Sequence, residues 1–151
     1  MDVRSAEGAD LADIGRMLHD FNTEYEDVTP GPDVIAERIR PLMESGETVV
    51  LLIGDGPDGL AVMRFRPSIW SDGLECYLAE LYVVPELRGQ GRGRVLMEAA
   101  IERAKAEGAS YMELNTGEDD VAARALYESL GFSRTEGKPD GAINYYYERD
   151  L

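Results

Sequence analysis

Residues 83–101 read VVPELRGQGRGRVLMEAAI, and the fold follows from them. A β-rich run ends at Val84, Pro85 closes it, and three alternate glycines, Gly89, Gly91 and Gly93, lead into a new periodicity. There Val95, Leu96, Ala99, Ala100, Ile101 and Ala104 recur at helical steps, and Gly108 stands where a C-terminal cap belongs. The pattern is strand, glycine loop, long helix, which is a crossover feeding a further strand at YMELN (111–115). Downstream, DDVAARALYESLGF (119–132) predicts a helix ended by Gly131, and FSRTEG and AINYYYERDL predict two closing strands.

Upstream of the glycine loop the pattern changes. After a short opening strand, Leu11, Ile14, Leu18 and Phe21 mark an amphipathic helix that starts near Gly8 or Asp10. FNTEYEDVTPGP breaks it, and Val34, Ile35, Arg38, Ile39 and Leu42 form one face of a second helix. TVVLLIG, GLAVMRFRP and GLECYLAELYVVP then predict three strands of an antiparallel meander, separated by GDGPDG and SIWSDG. No repeat or linker interrupts the chain, so residues 1–151 predict one α/β domain with a mixed, mostly antiparallel sheet flanked by helices.

Composition removes several functions. Thirty acidic and fifteen basic side chains give a net charge of −15, which disfavours nucleic acids and anionic membranes as partners. Cys76 is the single cysteine, so no intramolecular disulfide forms, and no secretory leader or membrane-length apolar run is present. A cytoplasmic protein is expected, with its oligomeric state open and a homodimer among the options. No metal-ligand spacing occurs, and His19 has no evident link to Cys76, which argues against a Cys/His nucleophile.

The loop itself is suited to phosphate, because glycines turn backbone N–H groups toward one point and a helix N-terminus adds about half a positive charge. A P-loop fails, since Gly93 is followed by Arg94 and Val95 rather than Lys and Ser or Thr. A dinucleotide fingerprint would need a small residue at Arg94 or Leu96, although Glu113 would suit a ribose. The plainest alternative is a turn that uses glycine only for conformational freedom.

Arg88, Gly91 and Gly93 reproduce the Q/R-x-x-G-x-G/A signature of the GNAT family of N-acetyltransferases, and residues 78–109 as a whole resemble that family's acetyl-CoA motif. DDVAARALYESLGF is similar to its second motif, N-x-x-A-x-x-L-Y-x-x-x-G-F, with Asp120 where asparagine is usual. The resemblance implies acetyl-CoA at a point where two strands splay, its pantetheine paired with the backbone of Leu81, Tyr82 and Val83. Its pyrophosphate would rest on the amides of Gly89, Gln90, Gly91, Arg92, Gly93 and Arg94, beside Arg88. Asp120 can accept a hydrogen bond there but, unlike asparagine, cannot donate one.

Acetyl transfer to an amine of pKa near 10.4 needs the neutral amine, which at pH 7 costs about 4.6 kcal/mol and makes a base useful. Glu80 is the candidate base. Strict alternation over 74–84 sets it among Leu74, Cys76, Leu78, Tyr82 and Val84, where a carboxylate needs either a role or an arginine partner. It also matches an acidic position in amine-acetylating members. Tyr127 matches the tyrosine that protonates or hydrogen-bonds the leaving sulfur; otherwise it is packing at the edge of its helix. The resemblance further implies that the acceptor meets the loops FNTEYEDVTPGP, with Asn22 and Tyr25, and FRPSIWSDG, with Trp70, and that Asn115 after the strand YMELN faces the same cleft. Carboxylates and rings on those loops suit a small cationic amine. A non-catalytic domain that senses acetyl-CoA, and an NAD(P)-dependent oxidoreductase, are the competing functions.

Overall fold

The computed structural model describes residues 1–151. The chain divides into two compact units, Met1–Met112 and Glu113–Leu151. In the first, β1 (Val3–Ser5) precedes helices α1 (Leu11–Glu24) and α2 (Pro32–Glu44), and strands β2 (Thr48–Ile53), β3 (Gly59–Pro67) and β4 (Leu74–Val83) follow. Helix α3 (Arg92–Ala106) then crosses to β5 (Ala109–Glu113). The sheet order is β1-β2-β3-β4-β5, with the first three neighbouring pairs antiparallel and β5 added beside β4 by the crossover. The expected mixed, mostly antiparallel α/β sheet is therefore present.

Hydrophobic side chains close both faces of the sheet. On one, Val50, Leu52, Leu60, Val62 and Tyr82 pack against Leu11, Ile14, Met17 and Leu18 of α1 and Ala36 and Ile39 of α2. On the other, Ile53, Ala61, Met63, Cys76 and Leu78 are buried on the side of α3, which supplies Leu96, Met97, Ala100 and Ala104. Burial on both faces explains why TVVLLI is a continuous apolar run rather than an alternating one.

One expectation from alternation is corrected. The register pairs Val62 with Glu80 but Met63 with Leu78, so Ala79 is an extra residue in β4, a β-bulge. Past the bulge the faces exchange. Glu80 and Tyr82 look toward α1 and α2, whereas Leu78 and Cys76, opposite Met63 and Phe65, belong to the α3 face. Glu80 thus does not share a face with Cys76 and Leu78.

The second unit carries α4 (Val121–Ser129), and none of its 39 residues is fully buried. The closing strands expected over 132–137 and 142–151 are not formed; the segment after α4 has neither helix nor strand. One backbone bond links the two stretches, from the Asn144 N–H to the Arg134 carbonyl at 2.8 Å. Alternation makes a strand only where a neighbour takes the backbone bonds and a core takes one face, and Tyr145, Tyr146 and Tyr147 are exposed.

Helices α1 and α2 are in close contact at Gly15. A methyl group built on it meets the Pro32 carbonyl oxygen and crowds the Ala36 side chain. Gly15→Ala gains about 1 kcal/mol of helix propensity but overpacks a backbone atom that cannot rotate aside, at about 1–3 kcal/mol. Because the clash is with backbone, the cost lies at the upper end, the net loss is about 1–2 kcal/mol, and we expect Tm to fall by about 2–8 °C. A thermal melt showing an unchanged or higher Tm would mean that the helices are not held at this distance.

Candidate active site

Strand β4 organises the site. It has ten residues and β5 has five, and the two start level, with the Leu74 N–H on the Gly108 carbonyl at 3.1 Å. Residues 79–83 therefore run on past the end of β5, leaving the backbone of Leu81, Tyr82 and Val83 without a strand on that side. A ligand with amide groups can pair there.

The chain next turns through Pro85–Leu87 into the glycine loop. Gly89 (φ 75°) and Gly91 (φ 87°) are left-handed, a conformation that costs other residues free energy. Space above them is open: a Cβ on Gly89 would meet nothing within 4 Å, and one on Gly91 only the Met1 methyl at 4.0 Å. Gly91 is the N-cap of α3, and the first helical bond is Val95 N–H to the Gly91 carbonyl, so the amides of Arg92, Gly93 and Arg94 have no intrahelical acceptor. Open space above two left-handed glycines at a helix start fits a pyrophosphate.

Two arginines of this loop have partners within the chain. The Arg88 guanidinium forks onto the Glu24 carboxylate at 2.7 and 2.8 Å, donates from Nε to the Val83 carbonyl at 2.9 Å and lies 5.5 Å from the Tyr82 ring centroid. It is a strut from the end of α1 to the end of β4, supported by Phe21 stacked on Tyr82 (5.2 Å) and meeting Tyr25 edge to face (5.6 Å). The Arg88 bond holds the Glu24 carboxyl below its ordinary pKa. Arg92 reaches Asp58 (3.4 Å) and Gln90 (3.0 Å). Both guanidinium groups are thus engaged by side chains of the chain itself.

Glu80 sits three residues before the end of β4, facing α1 and α2. Its carboxylate makes no hydrogen bond or ion pair, so the arginine partner that would have made it structural is not there. Burial raises its pKa above the ordinary 4.5. It borders a cavity of about 350 Å³ between the two helices and β2–β4. Asn22 borders the same cavity, its amide held by the Leu18 carbonyl at 2.8 Å. The α1–α2 loop is pinned by a hydrogen bond between His19 Nδ1 and Thr29 Oγ1, which gives His19 a structural task. Cys76 is fully buried, its thiol pushed up to about 11 by desolvation, and so is protonated and inert at neutral pH.

Other expected residues lie elsewhere. Trp70 is 85% exposed and Tyr25 59% exposed, and neither lines this cavity. Asn115, Asp120 and Tyr127 belong to the second unit. There Asp120 caps α4, accepting from the Ala123 N–H at 3.1 Å, and half-buried Tyr127 meets Phe132 edge to face at 6.2 Å. No group of His, Cys, Asp and Glu is arranged to hold a metal, and no helix is long and apolar enough to cross a membrane. Sequence reasoning missed Arg38, Arg64 and Thr48, which border the Glu80 cavity. Their proximity arises from α2 packing over β2 and β3, for which local sequence carries no mark.

Glu80 has a consequence for stability. Its pKa is raised on folding, so above the folded value the native state holds a desolvated charge, and at pH 4.5 and below that penalty fades. Glu80→Gln should therefore raise Tm at pH 7 by roughly 1–3 °C, with the difference shrinking toward pH 4.5. A lower Tm at pH 7 would reveal a stabilising partner.

Comparison with known proteins follows this geometry. Residues 14–132 match the model of the acetyltransferase (GNAT) family. The chain is 27% identical over 139 residues to the uncharacterized N-acetyltransferase YhfO of Bacillus subtilis (strain 168), covering 91% of this chain and 93% of that one. It is 28% identical to a thialysine N-epsilon-acetyltransferase of Bos taurus, covering 85% and 82%. A crystal structure from Arthrobacter sp. FB24, assigned as an acetyltransferase, superposes with a TM-score of 0.90 at 41% identity over 100% of this chain and 96% of that one. With its family model spanning most of its length and its relatives aligned nearly end to end, the chain belongs to the GNAT family of acetyltransferases.

Proposed function

We propose that the protein is an N-acetyltransferase that moves the acetyl group of acetyl-CoA to a primary amine by direct attack within a ternary complex. The observation that carries this reading is that one strand, β4, holds both a partnerless carboxylate facing a cavity and, from the next residue on, an open backbone edge leading into the glycine loop. The backbone of Leu81, Tyr82 and Val83 would hold the pantetheine, and residues 89–94 the pyrophosphate. Bound there, acetyl-CoA supplies an activated acyl group with a thiolate leaving group.

The remaining chemistry belongs to the chain. Glu80, ionised and desolvated, takes a proton from the incoming ammonium, which frees the nitrogen lone pair for the thioester carbonyl. The C–N bond forms and the C–S bond breaks; the departing sulfur takes a proton, for which the family resemblance implies the Tyr127 hydroxyl as donor, and the second proton shed by the nitrogen restores that hydroxyl. The helices over Glu80 limit water, so that the acyl group is directed to an amine rather than to hydrolysis. The names of the YhfO and thialysine relatives support nitrogen as the acceptor atom and, for the second, a small molecule. The buried, protonated Cys76 is compatible with a cytoplasmic setting.

The test is release of free CoA with a panel of amines, paired with acetyl-CoA binding by calorimetry. Tyr127→Phe should lower kcat on the order of 10²-fold with little change in acetyl-CoA affinity, because a proton donor acts mainly in the transition state. Wild-type turnover in that variant would leave Tyr127 as packing. Tight acetyl-CoA binding with no thiol release for any amine would replace the transferase by a sensor.

A further inference from the structure

Charge is distributed unevenly around the Glu80 cavity. In a chain with twice as many acidic as basic residues, an arginine normally finds a carboxylate, and Arg4, Arg16, Arg40, Arg66, Arg88, Arg92 and Arg103 all do. Arg94 also has an interaction. The two arginines of the first unit that make no hydrogen bond or ion pair are Arg38 on α2 and Arg64 on β3, and both border this one cavity. Beside them is Thr48, directly opposite Arg64 in the register. Its hydroxyl is buried and is the one buried side-chain polar atom with no partner. A neighbouring cavity of about 360 Å³, which Thr48 also borders, shows the contrast: its arginines, Arg40 and Arg103, are both paired.

We infer that the acceptor is an amine that also carries a carboxylate, an amino-acid-like zwitterion whose carboxylate is received by Arg38, Arg64 and the Thr48 hydroxyl while its amine meets Glu80. The inference rests on the acetyltransferase reading above. Geometry supports the two ends. Val62 is paired with Glu80, and Arg64 lies two residues farther along β3 on the same face, so the Glu80 and Arg64 positions are diagonal neighbours about 7–8 Å apart. That span separates amine from carboxylate by several bonds. Between them the lining is apolar, with Leu18, Val28, Ile35 and Ile39, and suits an aliphatic body. With Glu80 ionised the three charged side chains sum to +1, which repels a diamine and accepts a zwitterion. The net charge of −15 over the whole chain is thus not the charge that this cavity presents.

The test compares amines that differ by one carboxylate: lysine against cadaverine, and ornithine against putrescine. Loss of charge-assisted hydrogen bonds to a carboxylate corresponds to about 10- to 100-fold in kcat/KM. Wild-type protein should prefer each amino acid by at least that factor. Arg38→Met/Arg64→Met, both at exposed positions, should bring the ratio toward unity, mainly by raising KM for the amino acid. Circular dichroism and Tm confirm that the variant is folded. Equal or better use of the diamines by wild type, or a ratio unchanged in the variant, overturns the inference while the acetyltransferase reading stands. If no amine releases CoA, the transferase reading fails instead. The carboxylate site is then tested by calorimetry with lysine and CoA: binding lost in the double variant supports it, and no binding to wild type overturns it.

Discussion

A single extra residue in β4 sets the arrangement of the site. With strict alternation, Cys76, Leu78, Glu80 and Tyr82 would all face the same way, and the core against α3 would lack two of its buried side chains. The bulge at Ala79 lets the first half of the strand fill that core and turns the second half toward α1 and α2. One pairing position is given up, at about 1 kcal/mol for a backbone hydrogen bond. In return Glu80 reaches a cavity instead of a close-packed interior, at the point where β4 outruns β5.

Two struts hold the neighbourhood in place. Arg88, with Glu24 and Tyr82, fixes the end of α1 against the end of β4, so the connection leaving α1 and the glycine loop leaving β4 share one guanidinium. His19 and Thr29 fix the other end of the α1–α2 connection. The cavity beside Glu80 is therefore bounded by elements tied to the glycine loop.

The glycine loop was legible in the sequence because its requirements are local: positive φ at Gly89 and Gly91, a proline stop, and a helix start. Most of the sheet was legible for the same reason, from apolar runs separated by glycine and aspartate turns. The bulge was not, because Ala79 is an unremarkable strand residue and the register shift exists only relative to β3. The Arg88 motif position was legible, but the Glu24 that engages it from 64 positions away was not, since a motif records the residue type and not its partner. The cluster of Arg38, Arg64 and Thr48 joins residues from α2, β3 and β2 and leaves no local pattern. The segment after α4 shows the opposite error: AINYYYERDL has strand composition, but composition does not supply a neighbouring strand.

The central claim is that Glu80 is a partnerless, desolvated carboxylate that accepts the proton of the acceptor amine. Its pKa can be measured directly by NMR on protein carrying carboxyl-13C glutamate, with the signal assigned by its loss in Glu80→Gln, and compared with the acid limb of kcat/KM. The account predicts that Glu80 titrates above 4.5, that the acid limb of the rate falls at the same pH, and that this limb is lost in Glu80→Gln. Titration at or below 4.5, or an acid limb that persists unchanged in the variant, would contradict it.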